Sequence, residues 1–370
     1  MRTIKLSATS LATAKTCPMK YRLAYVLGWR PIEDSDIQRV GTRWHKGLEL
    51  IGRGKDWSDW LNETYATVPT NRTAEEWATE RAKLAAFLTA WAWRWQGDSV
   101  TTLATEVTFS LPLRHPGNNR IIPGVERVGK IDRLVLVDGR PMLGEYKSTS
   151  QSVASDSRIW DRYRRDTQLS EYICAARELQ LRGALAPAIT PSMPLISGGL
   201  YDLWHRPQSS PKLLTQADSK KLVETGEYCG QKFKIDTPPL FVDGERADGK
   251  PGAKPGTFAV RETPGMYSVR LLWEAETGAY HRPDYYFARR EIARTDDELR
   301  AYEWERYHLF LHVKNMARTG KWYGNENWCD ARYVCPYLGI CNHCPVIHDD
   351  DPVPNGFRCI FEDEIKDTEE

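Results

Sequence analysis

"VGKIDRLVLVDGRPMLGEYKSTS", residues 128–150, decides the fold, because it reads as a β-hairpin that carries charge where core belongs. Asp138-Gly139 is a strong two-residue turn signal between two apolar runs. With the turn there, Val137 pairs with Arg140, Leu136 with Pro141, Leu134 with Leu143 and Asp132 with Glu145. Directly opposed residues have Cβ atoms roughly 4.5–5.5 Å apart, so two carboxylates are expected face to face. Lys147, two residues beyond Glu145, points the same way. Val135, Val137 and Met142 take the other face, and apolar residues on both faces mark interior strands of a covered sheet. Opposed like charges there are destabilising unless a cation lies between them. Two carboxylates are a normal start for a magnesium or manganese site. A solvated sheet end with an incidental Glu–Lys neighbour is the alternative.

Around this hairpin the chain alternates in pattern. "SATSLATAKTCPMKYRLAYVLGW" reads as a helix capped by Ser7 or Ser10 and broken at Pro18. "GTRWHKGLELIGRG" is a second helix, and residues 56–98 are Trp-rich and helical in period. Strands follow at "TTLATEVTFSLPL" and in the hairpin itself. "DTQLSEYICAARELQLRG" is an amphipathic helix with a glycine stop, and "SGGLYDLWHR" suits a strand. Residues 207–260 are polar and contain "ADGKPGAKPG", which reads as a flexible surface insertion. "GMYSVRLLWEAETG" and "DYYFARREIAR" read as a late strand pair. "TDDELRAYEWERYHLFLHVKNMARTG" is a long helix with a Thr/Asp start and a Gly stop. "FEDEIKDTEE" is an acidic, disordered end.

The chain has 370 residues, 41% hydrophobic and 27% charged, with a net charge of +1. That is a globular composition, and any affinity for nucleic acid must come from local basic patches. Fourteen Trp and seventeen Tyr give a heavy aromatic load, of which some could stack on bases. There is no apolar signal region at the N-terminus and no run of about 18 apolar residues. A cytoplasmic protein without a membrane segment is expected. In that compartment the eight cysteines suit metal ligation or inert thiols better than disulfides.

The hairpin resembles the core of the PD-(D/E)xK nucleases, with Asp132 at the first acidic position and Glu145-Tyr146-Lys147 as the E-x-K tripeptide. Ile131 stands where Pro is common. "QLSEY" adds Gln168 and Tyr172 at i, i+4 on one helix face. "GTRWHKG" adds His45, similar to the early histidine of RecB-like members. "CPMKYRLAY" supplies Cys17, similar to the opening of the iron–sulfur exonucleases of that group (AddB, CRISPR-associated and phage kinds). The resemblance implies an α/β restriction-endonuclease-like fold, a mixed central sheet flanked by helices. It would be a single nuclease domain over 1–348, with a helical insertion at about 46–100, the polar insertion at about 207–260, an iron–sulfur segment at 329–344 and an acidic tail at 349–370.

The same resemblance implies roles. His45, Asp132, Glu145 and the Tyr146 carbonyl would bind Mg²⁺ or Mn²⁺, and Lys147 would stabilise charge on the phosphate. Gln168 would position Lys147 or the water, and Tyr172 would stack on DNA or brace its helix. "WCDARYVCPYLGICNHCP" gathers Cys329, Cys335, Cys341 and Cys344. Joined by Cys17, the first three would hold a [4Fe–4S] cluster, with Cys344 as substitute for Cys329. A zinc site from the clustered cysteines with His343 or His348 is the alternative. Arg158, Arg162, Arg164 and Arg165, interleaved with Trp160 and Tyr163, suit a phosphate track with base stacking, or a solvated basic face. The expected activity is a metal-dependent DNA exonuclease in recombination, repair or phage DNA processing. The alternative is a catalytically weak DNA-end-binding or scaffold protein. Strand preference, polarity, protein partners and oligomeric state are left open.

Overall fold

The computed structural model describes residues 3–33, 35–236, 240–247, 249–251, 258–277, 284–331, 334–343 and 346–361. The hairpin is there, turning at Asp138 and Gly139, both at positive φ. Labelling the longer elements in chain order gives β1 (Ile4–Leu6), α1 (Ala8–Thr16), α2 (Asp36–Gly52), α3 (Ser58–Thr64) and α4 (Ala74–Arg94). There follow β2 (Val100–Arg114), β3 (Ile121–Val137), β4 (Arg140–Thr149), α5 (Ile159–Arg164), α6 (Thr167–Leu181) and β5 (Gly198–His205). The last are α7 (Gln216–Thr225), α8 (Pro264–Thr277), β6 (Phe287–Ala293), α9 (Asp296–Thr319) and α10 (Leu338–His343).

These strands make one mixed sheet of order β1-β3-β4-β5-β6, with β2 along the far edge of β3. β1–β3 and β4–β5 are parallel, and the remaining pairs are antiparallel. Side chains alternate across it. Leu134, Leu143, Tyr201 and Leu203 pack with Leu169, Ile173 and Ala176 of α6 in one core. Tyr146, Trp204 and Phe287 pack on the other face with Trp44, Leu48, Phe87, Trp91 and Leu271 of α2, α4 and α8. The sheet is therefore covered by helices on both sides, as its two apolar faces require.

Local chemistry sets the helix ends. Ser7 with Ser10, Ser35 with Gln38, Thr73 with Glu76 and Thr295 with Glu298 each form a reciprocal capping box. Pro18 ends α1, leaving Cys17 extended, and the chain resumes as a short helical turn over Pro18–Tyr21 and Arg22–Val26.

Three expectations are corrected. Residues 264–277 are a helix, not a strand: Thr263 caps it, and Met266, Tyr267, Arg270 and Leu271 are buried at a helical period. Much of 207–260 is folded, since α7 and short antiparallel pairs enclose a small core of Leu214, Leu222, Val242, Ala247 and Val260; most of "ADGKPGAKPG" lies outside the described residues. The stretch from 349 is not a free tail, because Phe357–Cys359 pairs antiparallel with Trp29–Pro31; residues 362–370 lie outside the described residues. α2, which carries His45, runs from Asp36 to Gly52 without a break. No described helix is long and apolar enough to cross a membrane.

Candidate active site

The site opens at a gap in the sheet. On one edge of β3, β1 pairs with Val125–Arg127 and β4 pairs with Arg133–Val137; among the described residues no ladder pair forms between them. Asp132 lies in that gap. The hairpin register follows the expected one up to Arg133–Gly144, and then the strands part. Asp132 and Glu145 do not form the next pair. Instead the Tyr146 amide donates to Asp132 Oδ2 at 2.9 Å. Across from Asp132, on β2, Glu106 adopts a left-handed φ of 56°, a kink outside regular strand geometry.

Five predicted side chains meet here. Lys147 Nζ donates to Glu145 Oε1 at 2.6 Å and to Gln168 Oε1 at 2.7 Å. Gln168 Nε2 donates to the same Glu145 oxygen at 2.7 Å, closing a triangle. Gln168 is in place because Asp166 caps α6 by accepting its amide at 2.9 Å. From α2, His45 Nδ1 lies 3.4 Å from Asp132 Oδ1. Burial pushes the Glu145 carboxyl up to about 7, Lys147 pulling against this and Asp132 adding to it. Burial alone would lower the pKa values of Lys147 and His45. Glu145 and Asp166 more than offset it for Lys147, and Asp132 does so for His45, so both are raised.

The donor types fit a hard divalent cation. Oxygen ligands of Mg²⁺ stand at roughly 2.0–2.1 Å, so adjacent donors lie about 3 Å apart, close to the His45–Asp132 separation. Glu145, the third donor, is engaged with Lys147 and Gln168, and burial holds its carboxyl above the usual carboxylate range. Among the described residues no three His, Cys, Asp or Glu side chains stand as a ready-made ligand set; a cation would have to draw Glu145 from its partners.

Tyr172 is 9% exposed, meets Phe109 edge to face at 5.9 Å and hydrogen-bonds Gln168 through its hydroxyl, contacts that brace α6 beside the site. The basic run divides between core and cleft. Trp160 and Tyr163 are buried in the α6-side core, the Trp160 indole donating to the Val153 and Ala154 carbonyls. Tyr163 also lines the cleft that holds Lys147. Arg158, Arg162, Arg164 and Arg165 are exposed. Arg162 and Arg165, with Lys15, line a cleft of about 560 Å³ that also holds Lys147, Asp166 and Gln168. Arg158 and Arg164 are not among its lining residues. Sequence reasoning missed Asp166, although an Asp before "TQLSEY" is a normal cap signal. It also missed Arg133 and Asp202, for which no local signal exists.

Just past the end of α1, Cys17 neighbours Cys329, Cys335 and Cys341. Met19 N–H donates to the Tyr323 carbonyl at 2.9 Å, Asn325 to the Thr16 carbonyl at 2.9 Å, and Cys335 N–H to the Cys329 carbonyl at 2.7 Å. Burial, followed by the charges of Cys335, Cys17 and Cys329, pushes the Cys341 thiol up to about 11. The Cys329 thiol is raised by burial and by Cys335 and Cys17. Among the described residues these thiols do not stand as a ready-made metal-ligand set. Cys344 lies outside the described residues.

No curated protein matches the chain. It is similar to a solved protein described as "Crystal structure of SSO0001", at 10% identity over 74% of this chain and 76% of that one, with a TM-score of 0.23, too slight a likeness to carry an argument. The PD-(D/E)XK nuclease superfamily profile matches residues 5–342. Nearly the whole chain is thereby covered, and the protein belongs to the PD-(D/E)XK nuclease superfamily.

Proposed function

We propose that this protein is a Mg²⁺- or Mn²⁺-dependent deoxyribonuclease acting as an exonuclease, in the cytoplasm, in DNA recombination, repair or phage DNA processing. The observation that carries the reading is the closed Glu145–Lys147–Gln168 triangle beside the His45–Asp132 pair. His45, Asp132, Glu145 and the Tyr146 carbonyl are the groups that would hold the cation. When bound, the metal lowers the pKa of water and offsets charge on the scissile phosphate. Lys147, kept charged by Glu145 and Asp166, faces the developing negative charge with a preset donor. Gln168 fixes the Lys147 ammonium by accepting from it. Arg162 and Arg165 offer phosphate contacts along the cleft. Tyr172 keeps α6 seated.

Cys17, Cys329, Cys335 and Cys341 are assigned to a [4Fe–4S] cluster, supported by their donor chemistry and mutual proximity. Stoichiometric zinc without iron in anaerobically purified protein would replace that assignment.

The test is end-labelled linear and covalently closed DNA, single- and double-stranded, incubated with Mg²⁺, Mn²⁺ or EDTA. The expected result is metal-dependent release of label from linear DNA, with closed circles resistant. Equal attack on circles would remove the exonuclease assignment, and no cleavage with either metal would remove the enzyme.

A further inference from the structure

Behind the metal-facing edge lies a buried ionic chain with no assigned role. Asp202, 2% exposed, accepts from Arg133 Nη2 at 3.2 Å, from Arg289 Nε at 2.7 Å and from the Trp91 indole at 3.1 Å. Arg289 also pairs with Asp98, beyond the end of α4. Charges alternate along Asp98–Arg289–Asp202–Arg133, so the row is neutral although Asp202 and Arg133 are each only 2% exposed. Its last member does not stop at an acid. The Arg133 guanidinium lies over the Tyr146 ring, 4.4 Å from the centroid. Trp91 and His45 each meet that ring edge to face at 6.0 Å. Arg133 reaches Tyr146 by crossing Gly144, where an added Cβ would stand 2.3 Å from Arg133 Cγ. Arg133–Gly144 is also the last ladder pair before the strands part at Asp132. The guanidinium thus staples β3 to β4 at the place where the site begins.

Ion pairing alone would not need this geometry. A buried guanidinium over an aromatic face is attracted to the ring as well as to the acid, and it fixes the ring plane. Tyr146 supplies the amide that holds Asp132, and its ring meets His45. Its phenol oxygen is buried with no hydrogen-bond partner among the described residues, so its value here lies in the ring and main chain rather than in the hydroxyl. Resting on the metal-nuclease reading above, we propose that Arg133 is a positioning residue. It clamps Tyr146 so that Asp132 and His45 are aligned before a cation arrives. Groups behind ligands commonly change metal affinity by about 10–100-fold.

The test is Mn²⁺ titration of the metal-free protein, followed by the electron paramagnetic resonance signal of free Mn²⁺, with circular dichroism melts of each variant. Tyr146→Phe, which keeps the ring and alters only the phenol oxygen, should weaken Mn²⁺ binding far less than removal of the ring does. Tyr146→Leu, apolar but without a ring, should bind at least about tenfold more weakly, and so should Arg133→Met. Arg133→Lys, which keeps the charge but not the plane, should fall between. Wild-type affinity in folded Tyr146→Leu overturns the clamp even if Arg133→Met fails to fold. So does a loss in Tyr146→Phe as large as that in Tyr146→Leu. A wild-type protein that takes up no Mn²⁺ fails the metal reading itself, and is distinguished because that titration precedes any variant.

Discussion

At the scale of single residues, Glu145 carries the heaviest constraint. From sequence alone its neighbour is Asp132, and removing it would relieve repulsion. In the folded protein its nearest partner is Lys147, at 2.6 Å and largely buried. Breaking one side of a buried pair costs on the order of 3 kcal/mol or more. Glu145→Ala should therefore lower the melting temperature of the metal-free protein as well as abolish cleavage, and a rise in melting temperature would contradict the pairing. The raised carboxyl has a second consequence. Its pKa stands at about 7 against an ordinary 4.5, so the folded state keeps a proton that the unfolded chain gives up. The metal-free protein should lose stability as pH rises across that interval. Metal binding runs the opposite way, since Glu145 must ionise and His45, also raised, must be neutral to ligate. Mn²⁺ affinity should climb by about tenfold per pH unit per proton released, up to about pH 7. Calorimetry in buffers of different ionisation enthalpy checks this, and a flat profile from pH about 5 to 7 would reject it.

At the scale of elements, α5 and α6 divide their work between core and cleft. Tyr172 and Trp160 look inward, whereas Arg162 and Arg165 look toward the cleft that holds Lys147. Tyr172→Ala should cost about 3–5 kcal/mol through the cavity it leaves against Phe109. Tyr172→Leu, which stays apolar but removes the ring, should leave DNA affinity of the folded protein within about twofold, well under the 1–3 kcal/mol that a base-stacking ring contributes. Urea melts and DNA titrations separate the two effects, and a large loss of affinity in folded Tyr172→Leu would restore a DNA contact. Arg162→Ala and Arg165→Ala should behave conversely. Each should weaken DNA binding across sequences and lower the salt dependence by about one unit of log–log slope, with little change in melting temperature. An unchanged slope in the double variant would return this helix to a solvated basic face.

At the scale of the whole molecule, the N- and C-terminal regions close on each other. Trp29–Pro31 pairs with Phe357–Cys359, and Cys17 neighbours cysteines more than three hundred residues away. A ligand shared between such distant segments restricts a very long loop, whose closure cost rises only logarithmically with length. On the proposed ligation, binding of a metal or cluster there would be coupled to folding. Cys17→Ser should therefore lose iron and thermal stability together, and full iron retention in that variant would remove the clasp. What the sequence by itself determined was local. The Asp138-Gly139 turn and the period-two pattern specified the hairpin and its register up to Arg133–Gly144. Capping residues placed most helix ends, and spacing along one strand or one helix turn put Lys147 beside Glu145 and Gln168 near Tyr172. Tertiary structure decided what depends on partners far along the chain. It parted β3 from β4 at Asp132, because β1 and β4 share an edge of β3 and leave a gap between them. It turned the aromatic rings of the basic run into core, because α5 packs against the sheet. It made residues 264–277 a helix, because their apolar side meets α4 and the covered face of the sheet. It joined Arg133 to Asp202, 69 residues apart, a pairing that no local propensity encodes because its energy exists only once both are buried together.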